Sequence, residues 1–130
     1  MSGAPDPGDM PSFMDVLGFH LEHADEREAV LRMDVPAALM SPFGQVLGGM
    51  IAALFDTGLA VAIARHLGAG ERIATHNLNV TYVAFTREPR LFCRARALSV
   101  RRSVAVAEGE VTSAAGELIA KAVGTFGVRR

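Results

Sequence analysis

The pattern of apolar and polar positions changes period once along the chain. Residues 46–64 (VLGGMIAALFDTGLAVAIA) hold a single charge in 19 positions, without alternation. A run of that length and uniformity predicts a helix, over about 46–67. Gly68, Ala69 and Gly70 then end it as a glycine C-cap would. Beyond the helix the period becomes two. Residues 75–85 carry Leu78, Val80 and Tyr82 on one side, and residues 91–100 set Leu91, Cys93, Ala95 and Ala97 against Phe92, Arg94, Arg96 and Leu98. Residues 104–111 and 118–128 read as two more strands, and the short connections between all four predict antiparallel pairing. Ahead of the helix, residues 28–35 alternate as a half-buried strand that Pro36 stops. Residues 37–45, with Pro42 and Gly44, read as a loop. Phe13, Met14 and Leu17 space a short helix over 11–19, started by Pro11 and Ser12. The sum is α+β: one long helix lying across a five-stranded antiparallel sheet. Such a sheet has open edges, and pairing one with a second copy removes it, which predicts a homodimer.

The apolar run approaches the length of a membrane span. Asp56 near its middle argues against insertion, at about 2.5–3.5 kcal/mol. The run therefore reads as a helix buried on all sides at the centre of a soluble domain. Half of the 130 residues are apolar, enough for the core of a single domain over 12–130. Residues 1–11 are rich in Gly, Pro and Asp, lack a signal-peptide pattern and read as a disordered leader. Thirteen basic residues stand against 14 acidic ones, a balance that leaves no footprint for nucleic acid or an anionic membrane. One cysteine, Cys93, excludes an internal disulfide and suits a cytoplasmic location.

Two places on the helix invite chemistry. An ionisable Asp56 among Ala52, Ala53, Leu59 and Ala60 would be desolvated, which raises a carboxyl pKa and strengthens it as a base. The plainer reading is a structural Asp56 paired with an arginine or with Thr57. Gly48 and Gly49 fall at the helix N-terminus, where backbone N–H groups have no intrahelical acceptor and the dipole is positive. That suits an oxyanion or a polarised carbonyl; close packing at a glycine is the plainer alternative. Asp56 lies eight residues past Gly48, about 12 Å along the axis. A base and an oxyanion donor must both reach one carbonyl, so a site using both would be shared by two subunits. His76, beside Thr75, is a further candidate to line a site. Arg101-Arg102 reads either as a solvated turn or as a clamp for phosphates. His20 and His23 lack further ligands for a metal, and Cys93 alternates into a strand as a core residue.

The run from Gly48 to Thr57 (GGMIAALFDT) resembles the GG-x6-D-T signature of hotdog-fold acyl-CoA thioesterases of the phenylacetate-degradation (PaaI) type. THNLNVTYVAF, GELIAKAVGTFGV and SFMDVLGFHLEH resemble the other segments of that family, in order, from Phe13 to Val128. The resemblance implies a hotdog fold with the sheet wrapped round the helix, dimers that often pair into tetramers, and hydrolysis of an acyl-CoA thioester. It implies no metal and no cofactor, coenzyme A being part of the substrate. Asp56 matches the catalytic carboxylate, as general base or nucleophile. Gly48 matches the glycine whose N–H polarises the thioester carbonyl, in a site with the two groups on different subunits. Thr75 matches a residue that helps hold water, and Arg102, with Arg101 beside it, falls near the CoA phosphates. Gly49 and His76 would join the substrate-binding set. The chain departs from the family at Leu47, where a histidine is usual, and at Ser41, where an asparagine is usual. Ser41 retains a hydroxyl that can orient water or carbonyl, and Leu47 could pack on the acyl group. The expected function is acyl-CoA hydrolysis. The alternatives are a non-catalytic acyl-CoA-binding or regulatory hotdog protein and, further off, a hotdog dehydratase or hydratase.

Overall fold

The computed structural model describes residues 12–130, so the expected leader over 1–11 lies outside the described residues. The chain runs α1 (Phe13–Leu17), β1 (Phe19–Ala24), β2 (Ala29–Asp34), α2 (Gly48–Ala64), β3 (Arg72–Tyr82), β4 (Arg90–Val100), β5 (Val104–Ser113) and β6 (Leu118–Arg129). All strands form one antiparallel sheet in the order β1-β2-β4-β5-β6-β3. The sheet curls round α2, which touches every strand of it. No helix among the described residues is long and apolar enough to cross a membrane.

Three expectations need correction. The sheet has six strands, not five. The extra strand, β1, is an edge whose side chains are mostly exposed. With Phe19 alone fully buried it carries almost no hydrophobic signal, and its pairing with β2 is what makes it a strand. The long helix is shorter at both ends than 46–67. Leu47 is its N-cap and Arg65 its C-cap, and the Gly68–Gly70 segment forms a separate turn, held by the Glu71 carboxylate accepting from the Gly68 N–H at 2.6 Å. Finally, α2 is not enclosed on all sides. Met50, Ile51, Leu54, Phe55, Gly58, Leu59, Ala62 and Ile63 are buried, whereas Ala52, Ala53, Asp56, Thr57, Ala60 and Val61 are half-buried and Gly49 and Ala64 exposed.

The buried face meets Leu31 and Met33 of β2, Leu91, Cys93 and Ala95 of β4, and Ala105, Ala107 and Val111 of β5 in one apolar core. Small sheet residues let the helix come close. A Cβ on Gly58 would stand 2.8 Å from the Cys93 sulfur, so a larger residue there would force the buried Cys93 side chain to shift. Burial pushes the Cys93 thiol up to about 12, and it serves as a small core side chain.

Candidate active site

Asp56 and Thr75 meet. The Thr75 hydroxyl donates to Asp56 Oδ1 at 2.6 Å. A backbone irregularity makes this contact possible. In strict alternation Thr75 would face away from Leu78, Val80 and Tyr82. The β3–β6 register instead steps from Thr75↔Phe126 to Asn77↔Thr125, leaving His76 as an unpaired bulge residue. A bulge of one residue reverses the alternation. Ile73 and Thr75 therefore share the helix side of the sheet with Leu78, beside Leu59, and with Tyr82. The His76 ring lies over the backbone of Gly127 instead, outside the cleft that holds Asp56.

That cleft has a volume of about 620 Å³ and is walled by α1, the open face of α2 and the start of β3. Asp56 is half-buried within it, less enclosed than the sequence predicts. The plainer reading of Asp56 fails on geometry. The Thr57 hydroxyl donates to the Ala53 carbonyl at 2.9 Å, and no basic side chain among the described residues pairs with Asp56. Thr75 occupies one carboxylate oxygen, both residues line the cleft, and no hydrogen bond to Oδ2 is formed among the described residues.

Gly48 and Gly49 open α2 at its other end. Among the described residues neither N–H is donated to an acceptor outside the helix, and the first turn offers none inside it. The residue that holds this turn, Tyr82, lies outside the sequence-based candidates. The Tyr82 hydroxyl donates to the Gly48 carbonyl at 2.6 Å, and a Cβ on Gly48 would stand 3.3 Å from the Tyr82 ring. Partial burial raises the Tyr82 pKa, which keeps it a donor. As the one tyrosine in the chain, alternating toward the helix, it was open to notice. Leu47, the N-cap, is exposed, as are Phe43 and Phe85. Ser41 Oγ accepts from the N–H groups of Phe43 and Gln45, which fixes the loop leading into α2. Neither Ser41 nor Leu47 lines the Asp56 cleft. Arg101 and Arg102 are exposed in the β4–β5 turn, also outside that cleft.

A six-stranded antiparallel sheet wrapped round one long helix is the hotdog architecture, and the comparisons with known proteins agree. The sequence pattern of the thioesterase superfamily matches residues 43–120, and the chain belongs to that superfamily. Its class is thus that of the thioester hydrolases. The structure is similar to that of a thioesterase from Haemophilus influenzae, at TM-score 0.86 and 23% identity over 92% of this chain and 83% of the other. It is also similar to a phenylacetic acid degradation-related protein from Ralstonia eutropha, at TM-score 0.82 and 28% identity over 95% and 92%. A variant of the phenylacetic acid degradation protein PaaI from Thermus thermophilus matches at TM-score 0.78 and 28% identity over 88% and 96%. No curated protein matches in sequence.

Proposed function

We propose that this protein hydrolyses acyl-CoA thioesters in the cytoplasm, at a site completed by a second copy of the chain. The observation that carries the proposal is the Thr75–Asp56 hydrogen bond, set in an open cleft at mid-helix. Water bound between the Thr75 hydroxyl and Asp56 Oδ2 attacks the thioester carbonyl carbon as the carboxylate takes its proton. The carbonyl oxygen becomes an oxyanion. The C–S bond then breaks, the electron pair leaves on sulfur, and protonated Asp56 returns the proton to the thiolate. Products are the free acid and coenzyme A, with Asp56 restored.

The oxyanion needs a donor within about 3 Å. Gly48 of the same chain lies about 12 Å away along α2, so the partner's Gly48 is assigned the role, with Gly49 beside it. Two observations support a homodimer. The open face of α2 is built of small apolar residues, and exposed Leu47, Val83 and Phe85 lie at the helix N-terminus. Apolar surface of that kind marks an interface. Pairs of dimers remain compatible with it. Arg101 and Arg102, unpaired among the described residues, are assigned to the CoA phosphates. Ser41 holds the loop that delivers Leu47 and Gly48. The reaction calls for no resident cofactor.

The test is thiol release across a panel of acyl-CoAs, with Asp56→Asn alongside. Turnover by the native protein and its loss in the variant are expected, by about 10²–10⁴-fold for a general base. Absence of turnover with every acyl-CoA, or full activity in Asp56→Asn, overturns the reading. Ligand-dependent thermal stabilisation without turnover points instead to an acyl-CoA-binding protein.

A further inference from the structure

The cleft beside Asp56 extends well beyond the reacting atoms. We propose that it is an acyl-chain channel that selects linear apolar acyl groups by length, an inference that rests on the thioesterase reading of Asp56. From Asp56 its floor follows the open face of α2 through Ala60, Val61 and Ala64, with Ile73 of β3 as a side wall. Apart from Asp56, Thr57 and Thr75 at the reacting end, polar side chains enter only at the far end, where Glu71 and Arg72 line it. There the lining turns from apolar to charged: Glu71 accepts from the Gly68 N–H and lies 3.9 Å from the Arg130 guanidinium. A chain reaching that point would have to desolvate a charged group, which is unfavourable.

The other wall is α1, a five-residue helix with no buried residue of its own. Its Phe13 is 57% exposed, yet Phe13 and Met14 both face the cleft. An apolar side chain left exposed over an apolar trough gains by closing on an apolar ligand. Small residues on the floor make the room: alanine stands at both 60 and 64, one helical turn apart. A volume of about 620 Å³ falls in the range of small-molecule sites. From Asp56 to Ala64 the helix rises about 12 Å, the reach of roughly nine carbons in an extended chain of 1.5 Å bonds. The occupant is therefore the tail of a medium-length aliphatic acyl group, with its carbonyl at Asp56 and its end short of Glu71.

The test measures kcat/KM for straight-chain acyl-CoAs of increasing length. Efficiency is expected to rise about fourfold per buried methylene and to turn over near roughly ten carbons. Ala60→Phe fills the floor close to the carbonyl and should move the optimum to short chains. Ala64→Phe, farther out, should move it less. Phe13→Ala should weaken discrimination without shifting the optimum. Calorimetric binding of the same series to Asp56→Asn reads the channel without turnover. Affinity that grows with length there, alongside a native protein that hydrolyses nothing, would keep the channel and remove the thioesterase reading. An unchanged length profile in folded Ala60→Phe and Ala64→Phe overturns the channel while leaving hydrolysis intact. Dissociation of the oligomer by those variants, with no change in chain preference, also overturns it and assigns the trough to the second copy.

Discussion

Leu54, Phe55, Leu59 and Ile63 lie on the side of α2 turned to the sheet and are fully buried, whereas Ala52, Ala53, Asp56, Thr57, Ala60 and Val61 lie on the other side and stay partly open. Both faces are apolar apart from Asp56 and Thr57, so hydropathy does not separate them. Volume does. The large side chains fill the space inside the curled sheet. The small ones leave a shallow surface: Ala52 and Ala53 are open to close packing by a second helix, since interaxial distance depends on the side chains at the contact, and Ala60 and Val61 floor the proposed channel. In the proposed dimer, a helix too apolar for a surface and too small-sided for a core is divided between a fold and an interface. Asp56 would then fall on the interface side, where a shared site needs it.

The sharpest way to break the comparison is at the helix start. Gly48→Pro removes the proposed oxyanion N–H while keeping a residue suited to the first helical position. Leu47 before it is already extended, at φ −62° and ψ 138°, as a residue preceding proline prefers. Hydrolysis should fall by about 10²–10³-fold, with Gly48→Ala, which keeps the N–H, far less affected. Mixing Gly48→Pro with Asp56→Asn should then restore about a quarter of native activity if the site is shared across a two-fold axis. No recovery in mixed dimers would place both groups on one chain.

Next come the two faces themselves. Leu54→Ala on the buried side should cost about 2–5 kcal/mol of stability in denaturant titration. Ala53→Glu on the open side should leave the monomer's stability within about 0.5 kcal/mol but dissociate the dimer by sedimentation, and abolish turnover with it. Equal destabilisation by both variants would erase the distinction between the faces.

Tyr82→Phe removes only the hydroxyl that holds the Gly48 carbonyl. A hydrogen bond of that kind is worth about 0.5–1.5 kcal/mol. The expected result is a drop in kcat of up to about tenfold with KM little changed. Faster hydrogen exchange of the amides at the start of α2 would accompany it, and unchanged exchange would show that Tyr82 does not position the turn.

The smallest effect concerns the outer face of the sheet, remote from both sides of the helix. Arg96 donates to Glu110 at 3.0 Å, and this hydrogen bond holds the Glu110 carboxyl below the ordinary range although burial opposes it. A native pKa below the unfolded one adds stability above the unfolded value and loses it as pH falls through the native value. The Tm should therefore decline on acidification below the ordinary glutamate range. Glu110→Gln should flatten that decline slightly, without altering acyl-CoA hydrolysis at neutral pH.

Much of this molecule was legible in the sequence. The long apolar run, the four alternating strands after it and the single strand before it all reappear, with ends displaced by up to three residues. Asp56 was singled out because a charge in an apolar helix has few neutral explanations, and the glycine pair because helix starts expose N–H groups. Other features escaped for physical reasons. β1 is an edge strand with one buried side chain, so its pattern is indistinguishable from a polar loop. The Tyr82–Gly48 bond spans 34 residues and leaves no local trace.

The sequence by itself determined all the main elements but β1, their order and the isolated acid, because periodicity and desolvation are properties of local composition. Only the tertiary structure decided which way Thr75 points. By alternation it belongs on the outer face of β3 with Asn77 and Asn79. The bulge at His76 turns it inward to Asp56, and a bulge arises from pairing with β6, not from the strand's own residues. The same holds for the two sides of α2, whose difference appears only when a curled sheet has room for large side chains on one of them.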